Sequence, residues 1–428
     1  MFNSISASRL ADRSKTFFSR LDFLAKKTKL IVRNSAKFSA EGFTLGVLKA
    51  VVTGKASFNQ LAMSMGRSEH KAMTRQALHQ RVDQSAVAFM MSATGEAIKE
   101  RWDNQSQIAT KRFKRVIIED SSQAKTDKRN AEDFPAHGNG NGKTAGCKID
   151  LAFDLLTGEP ISEALHLATE QDRELGKDLV DQVRSFDLVL RDMGYFSTGE
   201  FARIESLDAF WLSRLPVSVK AHDLAGRKLE TILRTTKTRE IDCDMCIADT
   251  RHPARLIAVR ATPEVARERR RLRREQARQL GKQPNKDMLT RDGWHIIITN
   301  VREELMKTAE IFSLYSVRWQ IETIFRAWKQ SSQLVKALAR RSNSFHLQTL
   351  MYGAILLLIL TMKTAALLRG LHPRYQLSIE KIAQDLAAFI LTLVSMERFA
   401  DYNPDPRHLK MDKRSRKSLY QTAADCLS

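Results

Sequence analysis

Between Tyr315 and Lys329 the chain reads YSVRWQIETIFRAWK, which fits Y-x-x-R-x-x-x-E-x-x-x-x-x-x-K at Tyr315, Arg318, Glu322 and Lys329. On a helix advancing about 100° per residue, these four side chains fall within an arc of roughly 60°. Apolar Leu314, Val317, Ile321, Ile324, Phe325 and Trp328 fill the adjoining arc. One helix would then carry a buried face beside a stripe of one carboxylate, two cations and a phenol. A carboxylate can ligate a hard metal ion, and the cations and phenol can grip phosphate oxygens. That combination suits phosphodiester chemistry on nucleic acid. An amphipathic surface helix with ordinary charges is the plainer alternative.

Charge favours the first reading. Lys and Arg outnumber Asp and Glu by 70 to 49, a formal +21 over 428 residues. Such a chain is drawn to polyanions, and double-stranded DNA is the expected partner. Four cysteines are too few for a disulfide framework and fit a reducing compartment. Cys243 and Cys246 form a C-x-x-C with no second pair nearby, a weak zinc signal. The first residues mix serines and charges, without the apolar core of a signal peptide. Leu350 to Met362 is strongly apolar but shorter than the roughly 20 residues that cross a bilayer, so a buried core helix and no membrane are expected.

The helix needs elements to set it against other carboxylates. Residues 1–105 read as a helical DNA-binding region. Within it, SFNQLAMSM and TRQALHQRV resemble a helix-turn-helix that would offer Arg75, Gln76, His79 and Arg81 to DNA, a plain helical bundle being the alternative. Residues 106–206 read as strand, strand, strand, helix, strand, a mixed α/β core. Its strands at Val116–Ile118 and Phe186–Leu190 run out into Glu119-Asp120 and Arg191-Asp192. Residues 207–300 read as a β-rich insertion with its own small β layer, from strand-like runs at 210–215, 229–235, 255–259 and 295–299, broken by a very basic helix. Residues 301–345 return to the core with the Glu-bearing helix, and 346–428 form a helical C-terminal region with a basic tail from Arg407 to Lys417. HGNGNGKT at 137–144 ends like a P-loop, but His137 stands where the first Gly is required and a strand follows, so it reads as a hairpin loop.

Asp120, Asp192 and Glu322 are therefore candidate ligands for two metal ions that clamp the attacking and leaving oxygens of an in-line displacement. By sequence, Glu119 competes with Asp120 for the first position.

The signature helix and the run Asp192-Met193-Gly194-Tyr195-Phe196 resemble the cut-and-paste bacterial transposases of the insertion-sequence-four family, over roughly residues 40–400. The resemblance implies a ribonuclease-H-like catalytic core interrupted by a β-rich insertion, between helical N- and C-terminal domains. It implies an Asp-Asp-Glu triad of Asp120, Asp192 and Glu322 holding two Mg²⁺ ions, for which Mn²⁺ can substitute. Tyr315, Arg318 and Lys329 would hold DNA phosphates. Trp294 would stack on a base flipped from the duplex, its plainer role being a core Trp opening a strand. The expected protein is a DNA transposase, excising through a hairpinned end, acting as a homodimer through its C-terminal region, and located at the nucleoid in the bacterial cytoplasm. A non-catalytic DNA-binding regulator and a stand-alone metal-dependent nuclease are the rivals.

Overall fold

The computed structural model describes residues 16–33, 37–69, 73–100, 110, 112–138, 144–318, 321–339, 341–393, 408–411 and 419–427. In chain order the helices α1 (Leu21–Lys27), α2 (Ala40–Thr53), α3 (Phe58–Glu69), α4 (Arg75–Arg81) and α5 (Gln84–Lys99) come first. Then follow β1 (Arg115–Lys125), β2 (Pro135–Ala136), β3 (Thr144–Asp154), β4 (Pro160–Leu167), α6 (Asp172–Val180), β5 (Asp187–Arg191), α7 (Thr198–Ser206) and β6 (Phe210–Arg214). Next come β7 (Ala221–Asp223), α8 (Leu229–Thr235), β8 (Glu240–Ile247), β9 (His252–Arg260), α9 (Pro263–Gln279), α10 (Lys286–Arg291) and β10 (Trp294–Thr299). The last elements are α11 (Thr308–Val317), α12 (Ile321–Ser331), α13 (Leu334–Leu338), α14 (Ser344–Leu371), α15 (Ile379–Thr392) and α16 (Leu419–Leu427). They divide into two units: Met1–Ile108 with Asp120–Glu170 and Trp319–Tyr420, and Ala109–Glu119 with Gln171–Arg318 and Gln421–Ser428.

The first unit is organised on α14. Its start is set by Asn343, whose side chain accepts from the His346 amide. The apolar run at 350–362 lies inside this 28-residue helix, which is long and apolar enough to cross a membrane but whose apolar window is wholly buried within the protein. Helices α2, α5, α13 and α15 and strand β4 pack around it. The contact with α2 is so close that a Cβ on Gly353 would lie 2.3 Å from Val47 Cγ1. Trp328 of α12 is 1% exposed, and its indole Nε1 donates to the Ala354 carbonyl at 2.6 Å. Lys363 is buried in the same helix, with Nζ 2.8 Å from Glu159 Oε2 and donating also to the Glu100 carbonyl. Strand β2 pairs with the start of β3; of HGNGNGKT, expected as a hairpin loop, residues 139–143 lie outside the described residues.

Helices α3 and α4 pack together as the helix-turn-helix reading requires, though 70–72 of their connection lie outside the described residues. Arg75, Gln76 and His79 are exposed, whereas Arg81 is half-buried with its guanidinium 5.3 Å from the Phe38 ring centre. Most of the basic tail at 407–417 also lies outside the described residues.

The second unit is built on a mixed sheet. The first five residues of β1 pair in parallel with β5, and β5 in parallel with β6. All five residues of β5 are buried, as expected of a strand covered on both faces. Beyond β6 the sheet turns antiparallel in the order β10, β9, β8, β7. This corrects the expectation of a separate β layer: β10 pairs with β6 on one side and β9 on the other, so the later strands extend one sheet. Residues 229–235, expected as a strand, are helix α8, because Leu229, Ile232 and Leu233 have helical spacing that outweighs the β-branched content. Chain ends far apart in sequence close this unit: Arg112 Nη1 donates to Glu310 Oε1 at 2.8 Å and to the Cys426 carbonyl at 3.5 Å.

The Lys363–Glu159 pair generates a stability prediction. Lys363→Ala should lower the stability of the first unit by about 3–5 kcal/mol, because a buried carboxylate loses its cation. Replacing both partners, as Lys363→Met with Glu159→Leu, should recover most of the loss. Urea midpoints of the three proteins check this; a wild-type midpoint for Lys363→Ala would show that the pair contributes nothing.

Candidate active site

The site begins with the register of β1 on β5, which sets Glu119 opposite Arg191. Both side chains are almost wholly buried, and Arg191 Nε lies 2.5 Å from Glu119 Oε2. The guanidinium is held further by Nη2, which donates to the Gly176 carbonyl. Gly176 eases this approach, since a Cβ would sit 3.2 Å from Arg191 Cζ and 3.1 Å from the Tyr195 ring, close enough that one of them would have to shift slightly. The buried ion pair commits Glu119 to Arg191. Asp120 follows Glu119 within β1, so its side chain lies on the other face of that strand, and Asp192 is the first residue past β5.

Asp192 is half-buried, its side chain 34% exposed. Two residues of the Y-R-E-K signature hold its surroundings. Tyr315 is 8% exposed and its hydroxyl donates to the Arg191 carbonyl at 3.2 Å, fixing the backbone just before Asp192. Burial pushes the Tyr315 phenol up to about 12, so it remains a neutral donor. Arg318 is 5% exposed, with Nη2 3.4 Å from Asp192 Oδ1 and its guanidinium 5.7 Å from the Tyr315 ring centre. Tyr315, expected to touch phosphate, thus has its hydroxyl committed to a backbone carbonyl.

In the first unit, Asp120 lies in the middle of β1 rather than at a strand end, because the strand continues to Lys125. It is half-buried, and one oxygen accepts from the Ser121 amide at 2.8 Å. Glu322 is exposed in the first turn of α12, whose buried face is Ile321, Ile324, Phe325 and Trp328. Lys329 Nζ donates to the Gln123 carbonyl at 2.9 Å, fastening the Glu322 helix to the strand that carries Asp120. The single helix expected from 315 to 329 is assigned as α11 and α12, with Trp319 and Gln320 outside the described residues. Tyr315 and Arg318 belong to the second unit, and Glu322 and Lys329 to the first.

Among the described residues no three His, Cys, Asp or Glu side chains are grouped closely enough to hold a metal ion. Asp120, Asp192 and Glu322 are each carboxylates, the donor type a hard divalent cation takes, and none of them is wholly buried.

Trp294 opens β10 but does not offer an open ring. It is 4% exposed, and the Arg260 guanidinium lies 4.3 Å from its ring centre. It borders a cavity of about 260 Å³ lined also by Met193, Arg214, Arg269, Arg273 and Arg291. Beside it, burial and the Arg269 and Arg214 charges push the His295 imidazole down, which favours the neutral form facing Arg269 Nη2 at 3.2 Å. Trp211 is core as well, 1% exposed and stacked 3.9 Å from Phe201. The sequence reading missed Arg191 and Gly176. A signal was present: an acid before one Asp and a base before the other.

Comparison with known proteins places this geometry in a family. Residues 111–359 match the Transposase DDE domain, more than half of the chain. The chain is 27% identical over 340 residues to the transposase for insertion sequence element IS231C of Bacillus thuringiensis subsp. berliner, covering 74% of this chain and 71% of that one. It is 25% identical over 365 residues to the transposase for insertion sequence element IS1151 of Clostridium perfringens, covering 79% of this chain and 76% of that one. A piggyBac transposase, solved as a synaptic complex with hairpin DNA, aligns with TM-score 0.47 and 10% identity over 100% of this chain and 86% of its own. The chain belongs to the DDE transposase family.

Proposed function

We propose that this protein excises an insertion sequence and joins it to target DNA, with Asp120, Asp192 and Glu322 as its metal ligands. It is a DNA transposase, an enzyme of the DDE class. The observation that supports the site assignment is the pair of contacts that Tyr315 and Arg318 make around Asp192, on the backbone before it and on its carboxylate. A signature that sequence associates with phosphodiester chemistry is thus spent on orienting a carboxylate.

Two Mg²⁺ ions, or Mn²⁺ in their place, would supply Lewis acidity to the phosphodiester and activate water. The chain's own residues do the rest. Arg318 orients the Asp192 carboxyl group. Tyr315 keeps the strand end from shifting, and Lys329 keeps the helix of Glu322 on the strand of Asp120. Water first frees a 3′ hydroxyl at the end of the element. That hydroxyl attacks the opposite strand to give a hairpin, which is reopened before the ends join target DNA. A flipped base that reached the Trp294 ring would displace the Arg260 guanidinium. Two ends are processed together, so the active complex is a homodimer, assembled through the helical C-terminal region.

Asp120→Ala, Asp192→Ala and Glu322→Ala should each abolish Mg²⁺-dependent nicking of end DNA and leave DNA affinity nearly unchanged. Glu119→Ala should instead lose about 3–5 kcal/mol of stability, because it strands Arg191. Near-normal cleavage by any of the three triad variants removes that residue from the ligand set.

Tyr315→Phe separates the two roles of the signature tyrosine. Loss of the hydrogen bond leaves the Arg191 carbonyl without it, at a cost of about 1–3 kcal/mol. Cleavage should slow while DNA affinity and its salt dependence hold. A phosphate contact would behave oppositely: affinity would fall, with the salt slope unchanged because a neutral phenol displaces no counterion, while cleavage of bound DNA held.

A further inference from the structure

The very basic helix α9 divides its arginines between two faces. Arg269 donates to the Trp294 carbonyl at 3.1 Å, Arg270 to the Leu289 carbonyl at 3.0 Å, and Arg273 grips both Asp292 oxygens at 2.6 Å. Buried Ala266 lies on the same face. Thr262 caps the helix and Pro263 opens it, so its start is fixed too. These contacts pin α9 within the second unit.

The opposite side is different. Arg267, Arg271, Arg274 and Arg278 follow i, i+4, i+7, i+11 spacing, an arc of roughly 60°. All four are exposed. Arg271 is tied to Glu268 and Glu275. Among the described residues, Arg267, Arg274 and Arg278 have no recorded partner. Like charges at this spacing cost helix stability, so nothing in the fold asks for them. The stripe is about 16 Å long at 1.5 Å per residue, close to five base steps of a duplex at about 3.4 Å each. Arginine presents a planar fork that matches phosphate oxygens.

Position favours the same partner. Arg269, Leu272, Arg273 and Gln276 of α9 line one cavity with Met193, the residue after Asp192. The helix therefore stands near Asp192, with its outer stripe turned away from this cavity. We propose that the outer stripe of α9, Arg267, Arg274 and Arg278 with Arg271 between them, is a sequence-independent clamp on the phosphate backbone of the duplex being cut. The inference rests on the transposase reading and adds a surface that the triad and the signature helix do not supply.

The test is salt-dependent binding of the full-length protein to an end duplex and to a random duplex of equal length. Arg267→Gln, Arg274→Gln and Arg278→Gln together should flatten the log–log salt slope by about 2.7, at about 0.9 per phosphate contact, equally on both duplexes. An unchanged slope overturns the clamp, and a loss confined to the end duplex overturns its sequence independence. Should the triple variant fold poorly, Glu268→Gln with Glu275→Gln still decides. Removing these carboxylates frees Arg271 and lessens repulsion, so binding should tighten and the slope steepen; unchanged or weaker binding overturns the clamp. Asp192→Ala should keep the wild-type slope, so a failed triad and a failed clamp are distinguishable. A wild-type protein without salt-dependent DNA binding overturns both.

Discussion

A carboxylate and a guanidinium taken almost wholly out of water stand between β1 and β5, and the geometry of the second unit follows from them. The Glu119–Arg191 pair is stable only if each charge finds the other, because an isolated charge there would face a desolvation cost of several kcal/mol. Slipping β1 against β5 by one residue would strand both. The pair therefore selects the register, and the register decides where the chain leaves β5 as Asp192. Gly176 eases the approach of the guanidinium, and Tyr315 then holds the carbonyl of the same arginine. A buried charge pair is weak evidence of stability but can act as a device for specificity, here by fixing the strand end that runs into Asp192.

The basic residues are put to two uses. Arg191, Arg255, Arg273 and Arg291 are interior struts: Arg255 joins Asp242 to the Val301 and Met306 carbonyls, and Arg291 joins Glu230 to the Pro216 and Val217 carbonyls. The forks of Arg255 and Arg291 each reach two backbone carbonyls and a carboxylate in a fixed planar geometry that a lysine lacks. Each of these four is paired with a carboxylate, so the net charge of +21 resides in the remaining basic residues, and it is these that a polyanion can meet.

Much of this was legible in the sequence. The β5 strand, the Y-R-E-K spacing and the apolar helix within α14 stood out because period and composition are local properties. The family resemblance favours Asp120 over Glu119, but the partner that buries Glu119 was not legible locally: Arg191 is remote along the chain and adjacent only through strand pairing. Tyr315 and Arg318 were read as phosphate contacts because spacing reveals a shared helix face and not what covers it. Trp294 was expected to be open for the same reason, since Arg260 reaches it only through the β9–β10 register. Residues 229–235 show the ambiguity of short apolar runs, where seven residues satisfy both periods.

The closing contact of the second unit has a consequence for how the protein is made. Arg112 meets the Cys426 carbonyl across 314 positions of sequence. At about 5–20 residues per second, a ribosome needs roughly 15–60 s to synthesise that interval. For that time the nascent chain holds the first strand of the sheet without its last helix. A message that stops before the codons of α16, by a frameshift or a premature terminator, yields a chain lacking the backbone acceptor that α16 brings to Arg112. A lesion there is felt 314 positions away, just ahead of β1.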